Sequence, residues 1–224
     1  MAWRSSGASN AALINNLASN GLIKSERVKK AMLSVDRAHH APADAYEDSP
    51  QRIGFSATIS APHMHASACE SLLPFLNPDA KVLDIGSGSG YLTHVLLNLV
   101  SPGGTAIGVD HIQGLVDLAN KNMEKSAEGR EALKSGNAKF VKADGRLGYP
   151  EGGPYDAIHV GAAAQTLHQS LVDQLKSPGR MFIPVESDSM YQYIWVIDKD
   201  EKGEVEKKKL YGVSYVPLTN APDA

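Results

Sequence analysis

The sequence predicts an α/β fold with a doubly wound, mostly parallel sheet, and three observations support this prediction. Short apolar runs alternate with helical patterns between residues 81 and 185, which is typical of βαβ units. One of these runs enters a glycine-rich loop that opens a helix. The last two apolar runs are separated only by a charged turn, which predicts antiparallel strands at one end of the sheet.

The composition is that of an ordinary globular protein and predicts a single domain over residues 1–224. Hydrophobic residues make up 42% of the chain and charged residues 21%, which argues against wholesale disorder. The formal net charge of −3 argues against a strongly nucleic-acid-binding or membrane-surface protein, since these need a basic face. We divide the domain into an N-terminal region (1–78), a core (79–185) and C-terminal strands (186–224).

Cysteine content and apolar segments predict a soluble cytoplasmic protein. Cys69 is the single cysteine, so the sequence offers no intrachain disulfide and no cysteine zinc site, and Cys69 itself is expected to be buried. The apolar runs are shorter than the roughly 20 residues that span a bilayer. The first residues form no apolar secretory segment, so we expect no signal peptide.

Residues 9–40 predict two helices. Ser9 and Ser25 are placed to cap them, and Asn20-Gly21 is a typical end for the first. The apolar positions are Leu13, Ile14 and Leu17 in the first helix, and Val28, Ala31, Met32 and Val35 in the second.

Residues 41–62 are rich in proline, aspartate and serine and predict a loop. A helix is predicted from Pro62 to Leu73, because proline is tolerated in a first turn and Pro74 would stop or kink the helix. Ser60 would be a natural N-cap for this helix.

The core and the C-terminal part contain the remaining predicted elements. The strands of the core are Lys81–Ile85, Thr105–Val109, Lys139–Val141, Ala157–Val160 and Arg180–Val185, with helices at Leu92–Leu99 and Ile112–Met123. The C-terminal strands are Tyr193–Ile197 and Leu210–Val216. Between them, the mixed charges of Glu201–Lys209 predict a solvated turn that contains Gly203.

The segment from Leu83 to Tyr91 carries the strongest functional signal. Glycines at 86, 88 and 90 let the backbone turn after a strand and approach a ligand closely. Asp110 follows Gly90 by 20 residues at the end of the next strand, where a carboxylate can accept hydrogen bonds from a ribose diol. A plain structural turn explains this combination poorly, so we expect a nucleoside-binding site.

The loop favours S-adenosylmethionine over a dinucleotide or ATP. Tyr91 occupies the position where the dinucleotide fingerprint has its third glycine, and no lysine follows as in a phosphate-binding loop. Asp84 just before the loop would repel a pyrophosphate but attract an ammonium group, which S-adenosylmethionine carries.

Several segments together resemble the protein-L-isoaspartate (D-aspartate) O-methyltransferase family, and animal members in particular. The resemblance extends over nearly the whole chain, and the Thr58–Ala66 and Tyr155–Ala164 segments are its most specific parts. The other matching segments are Met1–Trp3, Asp48–Gln51, the glycine loop, Gly108–His111, Asp144–Arg146 and Tyr215–Thr219.

The resemblance implies a class I S-adenosylmethionine-dependent methyltransferase with a Rossmann-like doubly wound sheet. Its implied activity is methylation of the free α-carboxyl of L-isoaspartyl residues, and less well of D-aspartyl residues, in damaged peptides and proteins, which starts their repair. S-adenosylhomocysteine would be the product, with no metal. A cytoplasmic monomer without nucleic-acid or membrane partners is expected.

The resemblance also implies residue roles. Asp84, Gly86, Ser87, Gly88 and Gly90 would surround the amino-acid end of the cofactor, and Asp110 would hold the ribose. His111, Asp144, Gly145 and Thr219 would lie at the adenine. Thr58, Ile59, Ser60 and His65 would close over the cofactor, with Ser60 as the active-site residue.

The chemistry agrees with these roles. A carboxylate is already ionised at neutral pH and needs no general base. Ser60 is therefore expected to orient the carboxylate, and a nucleophilic Ser60 is disfavoured because no partnered base is evident. His63 and His65 alternate, but two local ligands make a metal site improbable.

Peptides with varied flanking sequences call for main-chain recognition. We expect the segment from Val213 to Leu218, including Tyr215, to offer an exposed strand edge. Ile59, Ala61 and Val216 would form the small pocket for the damaged residue.

The sequence disfavours three other functions. A methyltransferase for RNA or a small molecule is disfavoured because Val160-Gly161-Ala162-Ala163 lacks the polar and aromatic residues that often clamp an amino group. A non-catalytic cofactor-binding module would be expected to lose the glycine loop or Asp110. A nicotinamide oxidoreductase is disfavoured by Tyr91.

Overall fold

The computed structural model describes residues 2–187 and 191–219, so Met1 and residues 188–190 and 220–224 lie outside the description. Its strands are β1 (Gln51–Gly54), β2 (Ala57–Ile59), β3 (Lys81–Ile85), β4 (Thr105–Asp110), β5 (Ala138–Lys142), β6 (Tyr155–Val160), β7 (Leu175–Glu186), β8 (Gln192–Lys199) and β9 (Val205–Val213). Its helices are α1 (Asn10–Ser19), α2 (Glu26–Ser34), α3 (Pro62–Leu72), α4 (Tyr91–Val100), α5 (Gln113–Met123), α6 (Ala127–Ser135) and α7 (Gln169–Asp173).

A seven-stranded sheet forms the centre of the fold in the order β5-β4-β3-β6-β7-β8-β9. The strands from β5 to β7 are parallel, whereas β7, β8 and β9 pair antiparallel. The order reverses between β3 and β6, and ligands of open α/β sheets bind at such a switch point. The predicted doubly wound sheet and its antiparallel end are confirmed.

Two apolar clusters cover the two faces of the sheet. Val82 and Ala157 belong to the larger cluster, with the apolar residues of α1 to α5, whereas the neighbouring Leu83 and Ile158 belong to the other, with Leu171 of α7. Adjacent residues of a strand point to opposite faces, so inner strands such as β3 and β6 contribute to both clusters. This explains why the inner strands are apolar without alternation.

The predicted caps of the first two helices are confirmed. Ser9 Oγ accepts a hydrogen bond from the Ala12 amide at 3.2 Å, and Ser25 Oγ accepts one from the Arg27 amide at 3.2 Å. The helix predicted from Pro62 is also confirmed as α3, and Cys69 on its inner side is buried. No helix among the described residues is both long and apolar enough to cross a membrane.

Three predictions about local structure were wrong. Residues 41–62 do not form a continuous loop, because β1 and β2 pair as a hairpin whose tip residues Phe55 and Ser56 have positive φ angles. The last strand is Val205–Val213 rather than Leu210–Val216, since residues from 205 onward pair with β8. The charged turn is correspondingly shorter than Glu201–Lys209, and its last residues belong to β9. The sequence analysis also missed α6 and α7.

Candidate functional site

A cavity of about 520 Å³ lies where the carboxyl ends of β3, β4 and β6 meet. Apolar side chains from the strand ends and from α5 line most of it, as a flat aromatic ligand requires. The residues around it are Phe55, Ser56, Ala57, Thr58, Ile85, Gly86, Gly88, Val109, Asp110, His111, Ile112, Leu115, Gly145, Gly161, Ala162, Val216, Pro217, Leu218 and Thr219.

The glycine loop forms one wall of this cavity. The amides of Gly86 and Ser87 both donate to the carbonyl of Val109, at 2.8 and 3.1 Å, which ties the loop to the end of β4. Gly88 has a φ of +51°, a conformation that other residues rarely adopt. The backbone can therefore lie at the cavity surface without a side chain in the way.

Asp110 is held at the edge of the cavity by two backbone donors. Its Oδ2 accepts from the Gly88 amide at 3.1 Å and its Oδ1 from the Ile112 amide at 3.2 Å. Burial raises the pKa of Asp110, and these two hydrogen bonds oppose the rise. Each carboxylate oxygen retains acceptor capacity, which suits a ligand with neighbouring hydroxyl groups.

A smaller cavity of about 30 Å³ shares Thr58, Gly86, Gly88 and Gly161 with the large one. Asp84, 1% exposed, faces it and is held on both oxygens. His159 Nδ1 lies 2.8 Å from Asp84 Oδ1, and the Thr93 hydroxyl donates to Asp84 Oδ2 at 2.6 Å. The smaller cavity thus has a fixed acidic group suited to a cationic ligand.

Two buried hydroxyl groups at this smaller cavity lack a partner among the described residues. Ser87 Oγ and the Tyr91 hydroxyl are both shielded from solvent and make no hydrogen bond there. An unpaired buried polar group is costly, so such groups at a cavity indicate a polar ligand. The arrangement fits the amino-acid end of S-adenosylmethionine, with an ammonium at Asp84 and a carboxylate near the hydroxyl groups.

A third cavity, of about 620 Å³, opens beside the first two and is lined by α3 residues and the segment from 211 to 216. We call it the substrate groove. Thr58 and Gly161 line all three cavities, and Ser60 lines the small cavity and the groove. A methyl group passing from cofactor to acceptor would have to cross this junction.

Ser60 has two polar neighbours at the junction. Its carbonyl accepts a hydrogen bond from Arg37 at 2.9 Å, and its side chain is near enough to the Tyr215 hydroxyl to affect the pKa of that group. Burial raises the pKa of Tyr215, which therefore remains a neutral donor or acceptor. The prediction that Ser60 caps α3 was wrong, because Ala61 occupies the cap position without a side-chain hydrogen bond.

The far wall of the groove is a backbone segment that follows β9. Gln192 holds Tyr215 by both backbone groups, with Oε1 accepting from the amide at 2.5 Å and Nε2 donating to the carbonyl at 3.1 Å. The Ala163 amide donates to the Val216 carbonyl at 2.8 Å. Residues 214–216 therefore lie in a fixed position after β9, although they are not part of the strand.

The tip of the β1–β2 hairpin reaches over the large cavity. Phe55 lines that cavity and lies against α5 at Gly114, where an added Cβ would be 2.3 Å from the Phe55 ring. The glycine at 114 thus makes room for the aromatic ring. The hairpin forms the roof of the adenosine-sized space.

The two histidines at the start of α3 have different partners. His63 Nδ1 lies 2.8 Å from Asp48 Oδ1, and His63 lines the substrate groove. His65 lies at the small cavity, with Nδ1 3.4 Å from the Arg37 guanidinium. In the described ranges, no group of three or more histidine, cysteine, aspartate or glutamate residues could hold a metal ion.

Most of the predicted site residues meet at the three cavities. Those at the large cavity include Asp110, His111, Gly145 and Thr219, and those at the small one include Ser87 and His65. Ala61, Val213, Tyr215 and Val216 line the groove. Ile59 lines the small cavity instead of the groove, because its side chain packs in the core.

Two predicted residues lie outside the cavity linings. Gly90 opens α4, and an added Cβ would be 2.9 Å from Phe140, so close helix packing accounts for this glycine. The Asp144 carboxylate pairs with Arg146, with Arg146 Nη2 2.6 Å from Asp144 Oδ2. This pairing lowers the pKa of Asp144 and turns its carboxylate to Arg146.

Sequence reasoning missed several residues of the site. Tyr91 and Gly161 were noted only as mismatches to other motifs, and Arg37 was not noted at all. His159 interrupts an apolar strand, and that interruption was an available signal of a buried polar role. Arg37 gave no comparable signal, because its contacts come from segments far apart in sequence.

Comparison with known families adds an independent finding. The sequence model of the family described as protein-L-isoaspartate(D-aspartate) O-methyltransferase matches residues 8–223. A protein-L-isoaspartate O-methyltransferase of Caenorhabditis elegans is 49% identical over 220 residues, which cover 98% of this chain and 96% of the relative. One from Triticum aestivum is 46% identical over 213 residues, covering 94% of this chain and 91% of that relative.

A solved structure agrees with these sequence relatives. The Plasmodium falciparum structure described as a beta-aspartate methyltransferase in complex with S-adenosyl-L-homocysteine has a TM-score of 0.87 to this chain. The two are 33% identical, and the match covers 95% of this chain and 99% of the other.

Proposed function

The chain belongs to the protein-L-isoaspartate(D-aspartate) O-methyltransferase family, and from this premise we propose how its site works. The enzyme uses S-adenosylmethionine to methylate the free α-carboxyl of L-isoaspartyl residues in peptides and proteins. The observation that carries the proposal is the junction at Thr58, Ser60 and Gly161, where the cofactor cavities meet an open groove. D-Aspartyl residues are proposed as weaker substrates.

The cofactor fits the two inner cavities by the chemistry of their residues. Asp110 would hold the ribose hydroxyls, and the apolar walls near His111 and Gly145 would hold the adenine. Asp84 would hold the ammonium, with the unpaired Ser87 hydroxyl nearby for the carboxylate. When bound, S-adenosylmethionine supplies a methyl group activated by the positive sulfur.

We propose that Ser60 orients the acceptor carboxylate at the junction. The isoaspartyl carboxylate is ionised at neutral pH, so no residue needs to remove a proton from it. The Ser60 hydroxyl, near Tyr215, can donate to one carboxylate oxygen and leave the other free. Fixing the acceptor in line is a large part of what such a site can contribute.

The groove would bind the peptide chiefly through its backbone. Residues 213–216 line the groove wall, and Gln192 keeps that wall in place by holding both backbone groups of Tyr215, so that the backbone of Ser214 and the amide of Val216 would contact the peptide. Recognition of backbone instead of side chains suits an enzyme whose damaged sites occur in varied sequences. Within the proposed single domain, residues 1–78 and 186–224 would handle the substrate and residues 79–185 the cofactor. We further propose a cytoplasmic monomer without nucleic-acid or membrane partners.

A labelling experiment with paired peptides tests the proposed function. Methyl-labelled S-adenosylmethionine is supplied with two peptides that differ only in Asp against isoAsp at one position. Base-labile label on the isoAsp peptide alone is the expected result, because a methyl ester of the α-carboxyl hydrolyses in base. Equal labelling of both peptides, or labelling of RNA alone, would refute the proposal.

A further inference from the structure

Arg37 is fully buried without a carboxylate partner at ion-pair distance among the described residues. Its guanidinium lies over the Tyr91 ring, 5.2 Å from the ring centre, and its Nε makes no hydrogen bond in the described part of the chain. A buried charge without a close counter-ion is expensive. This cost indicates that the Arg37 guanidinium has a specific role at this position.

Both polar contacts of the guanidinium are with residues that line the small cavity. One terminal nitrogen donates to the Ser60 carbonyl at 2.9 Å, and the other lies 3.4 Å from His65 Nδ1. Ser60 and His65 both line the small cavity, whereas Arg37 itself does not. Arg37 can therefore act on a ligand in that cavity through these two residues, through the Tyr91 ring and through its charge, but not by direct contact.

The contact with Arg37 determines which nitrogen of His65 carries the proton. An arginine guanidinium has only donors and stays protonated in proteins, so His65 Nδ1 must be the acceptor. Burial and the nearby Arg37 charge lower the pKa of His65, so the ring is neutral. A neutral ring with an unprotonated Nδ1 carries its proton on Nε2 and presents an N–H donor there.

We propose that Arg37 is a positioning residue that holds His65 as the Nε2–H form, so that His65 donates to the carboxylate of the cofactor's methionine. The small cavity has an acid, Asp84, for the ammonium, whereas the carboxylate needs donors, and His65 is one beside Ser87 and Tyr91. A charged histidine is not needed for this contact. The positive charge of Arg37 also lies behind the donor and favours an anion in front of it.

The first measurement uses the unmodified enzyme. Nitrogen-15 NMR of the imidazole groups distinguishes the two neutral forms, and the His65→Gln variant assigns the His65 signals by their disappearance. The expected result is a neutral ring protonated at Nε2. A ring protonated at Nδ1 would overturn the proposal.

The second measurement compares two ligands that differ only in the carboxylate. S-adenosylmethionine and its decarboxylated form both carry the ammonium and the adenosine. In Arg37→Met we expect affinity for S-adenosylmethionine to fall about tenfold, as for a weakened hydrogen bond to a charged group, with little change for the decarboxylated form. An equal loss for both ligands would mean general damage to the site and would overturn the proposal.

Arg27→Met is the matched control. Arg27 is an exposed arginine whose guanidinium also donates to backbone carbonyls, those of Leu76 and Leu99, but it does not reach the site. The Arg27→Met variant should leave the His65 signals unchanged, and also the ratio of the affinities for S-adenosylmethionine and its decarboxylated form. If Arg37→Met does not fold, Arg37→Lys and His65→Gln replace it in the binding comparison.

The proposal rests on the proposed use of S-adenosylmethionine but not on the peptide substrate. Both measurements are made without peptide. The NMR and binding results can therefore be interpreted even if the enzyme does not methylate isoaspartyl peptides. Conversely, active methylation with a His65 ring protonated at Nδ1 would refute only the role of Arg37.

Discussion

The imidazole of His159 lies 2.8 Å from the carboxylate of Asp84, and both residues are buried at the small cavity. Asp84 lies near the end of β3 and His159 is on the neighbouring β6, and the two residues are directly paired in the sheet. The His159 ring also stacks on Phe182. The acidic group proposed for the cofactor's ammonium is therefore fixed by the sheet before any ligand binds.

The Thr93→Val variant tests how firmly Asp84 is held. The change keeps the shape of the side chain but removes the hydroxyl that donates to Asp84 Oδ2. We expect the free energy of unfolding to fall by about 1–3 kcal/mol, the cost of a buried acceptor that loses its donor. Urea denaturation measures it, with the exposed Thr166→Val as control. Equal stability of the two variants would contradict the assigned hydrogen bond.

The Ser60→Ala variant tests the orienting role of the serine hydroxyl. We expect kcat to fall about tenfold to a hundredfold through loss of orientation, with little change in affinity for S-adenosylhomocysteine. Steady-state kinetics on an isoaspartyl peptide and calorimetric titration measure the two quantities. Wild-type turnover in the variant would remove Ser60 from the mechanism.

Two aspartate variants test which carboxylate contacts the cofactor. In Asp110→Asn, we expect S-adenosylhomocysteine to bind about tenfold to a hundredfold more weakly, because a charged acceptor for the ribose is lost. In Asp144→Asn, we expect a smaller loss, because Arg146 already engages that carboxylate. Calorimetric titration compares them, and equal losses would support the direct contact that the family resemblance implies for Asp144.

Acid should destabilise the enzyme below about pH 6.5, the usual pKa of histidine. Burial lowers the pKa of His40 to about 3 and that of His94 to about 4. Between these values and 6.5 the unfolded chain binds more protons than the folded one, so stability falls as the pH falls. At pH 5 each histidine should cost on the order of 2 kcal/mol.

Urea denaturation between pH 7 and pH 5 measures this dependence. The His94→Asn variant should show a shallower loss of stability over the same range, whatever its stability at pH 7. A free energy of unfolding that stays constant between pH 7 and pH 5 would contradict the buried neutral state of these histidines.

Local sequence patterns predicted the first helices and the core strands because interactions between residues close in sequence determine these elements. Ser9 and Ser25 cap helices through contacts within three residues, and the run from Lys81 to Ile85 is apolar because both faces of its strand are covered. The β1–β2 hairpin escaped prediction because its composition is typical of loops and its tip contains Phe55 where a glycine is usual. The predicted bounds of the last strand were wrong because the lysines of β9 are typical of a solvated turn.

The predicted site was most complete where a single segment carries it. The glycine loop and Asp110 were identified from spacing, and the structure brings both to one cavity. Arg37 and His159 were not identified, because their roles depend on contacts with Ser60, His65 and Asp84 that only the folded chain creates.

The position of β9 has a consequence for the behaviour of the enzyme at high concentration. In the described part of the chain β9 is the outermost strand of the sheet, and it leads directly into the wall of the substrate groove. An edge that stays open for peptides can also join the same edge of another copy and start aggregation. Exposed lysines at 207, 208 and 209 concentrate positive charge on this edge, so two such edges would bring like charges close together. Repulsion between these lysines would oppose such edge-to-edge association while leaving the edge accessible to the backbone of a peptide.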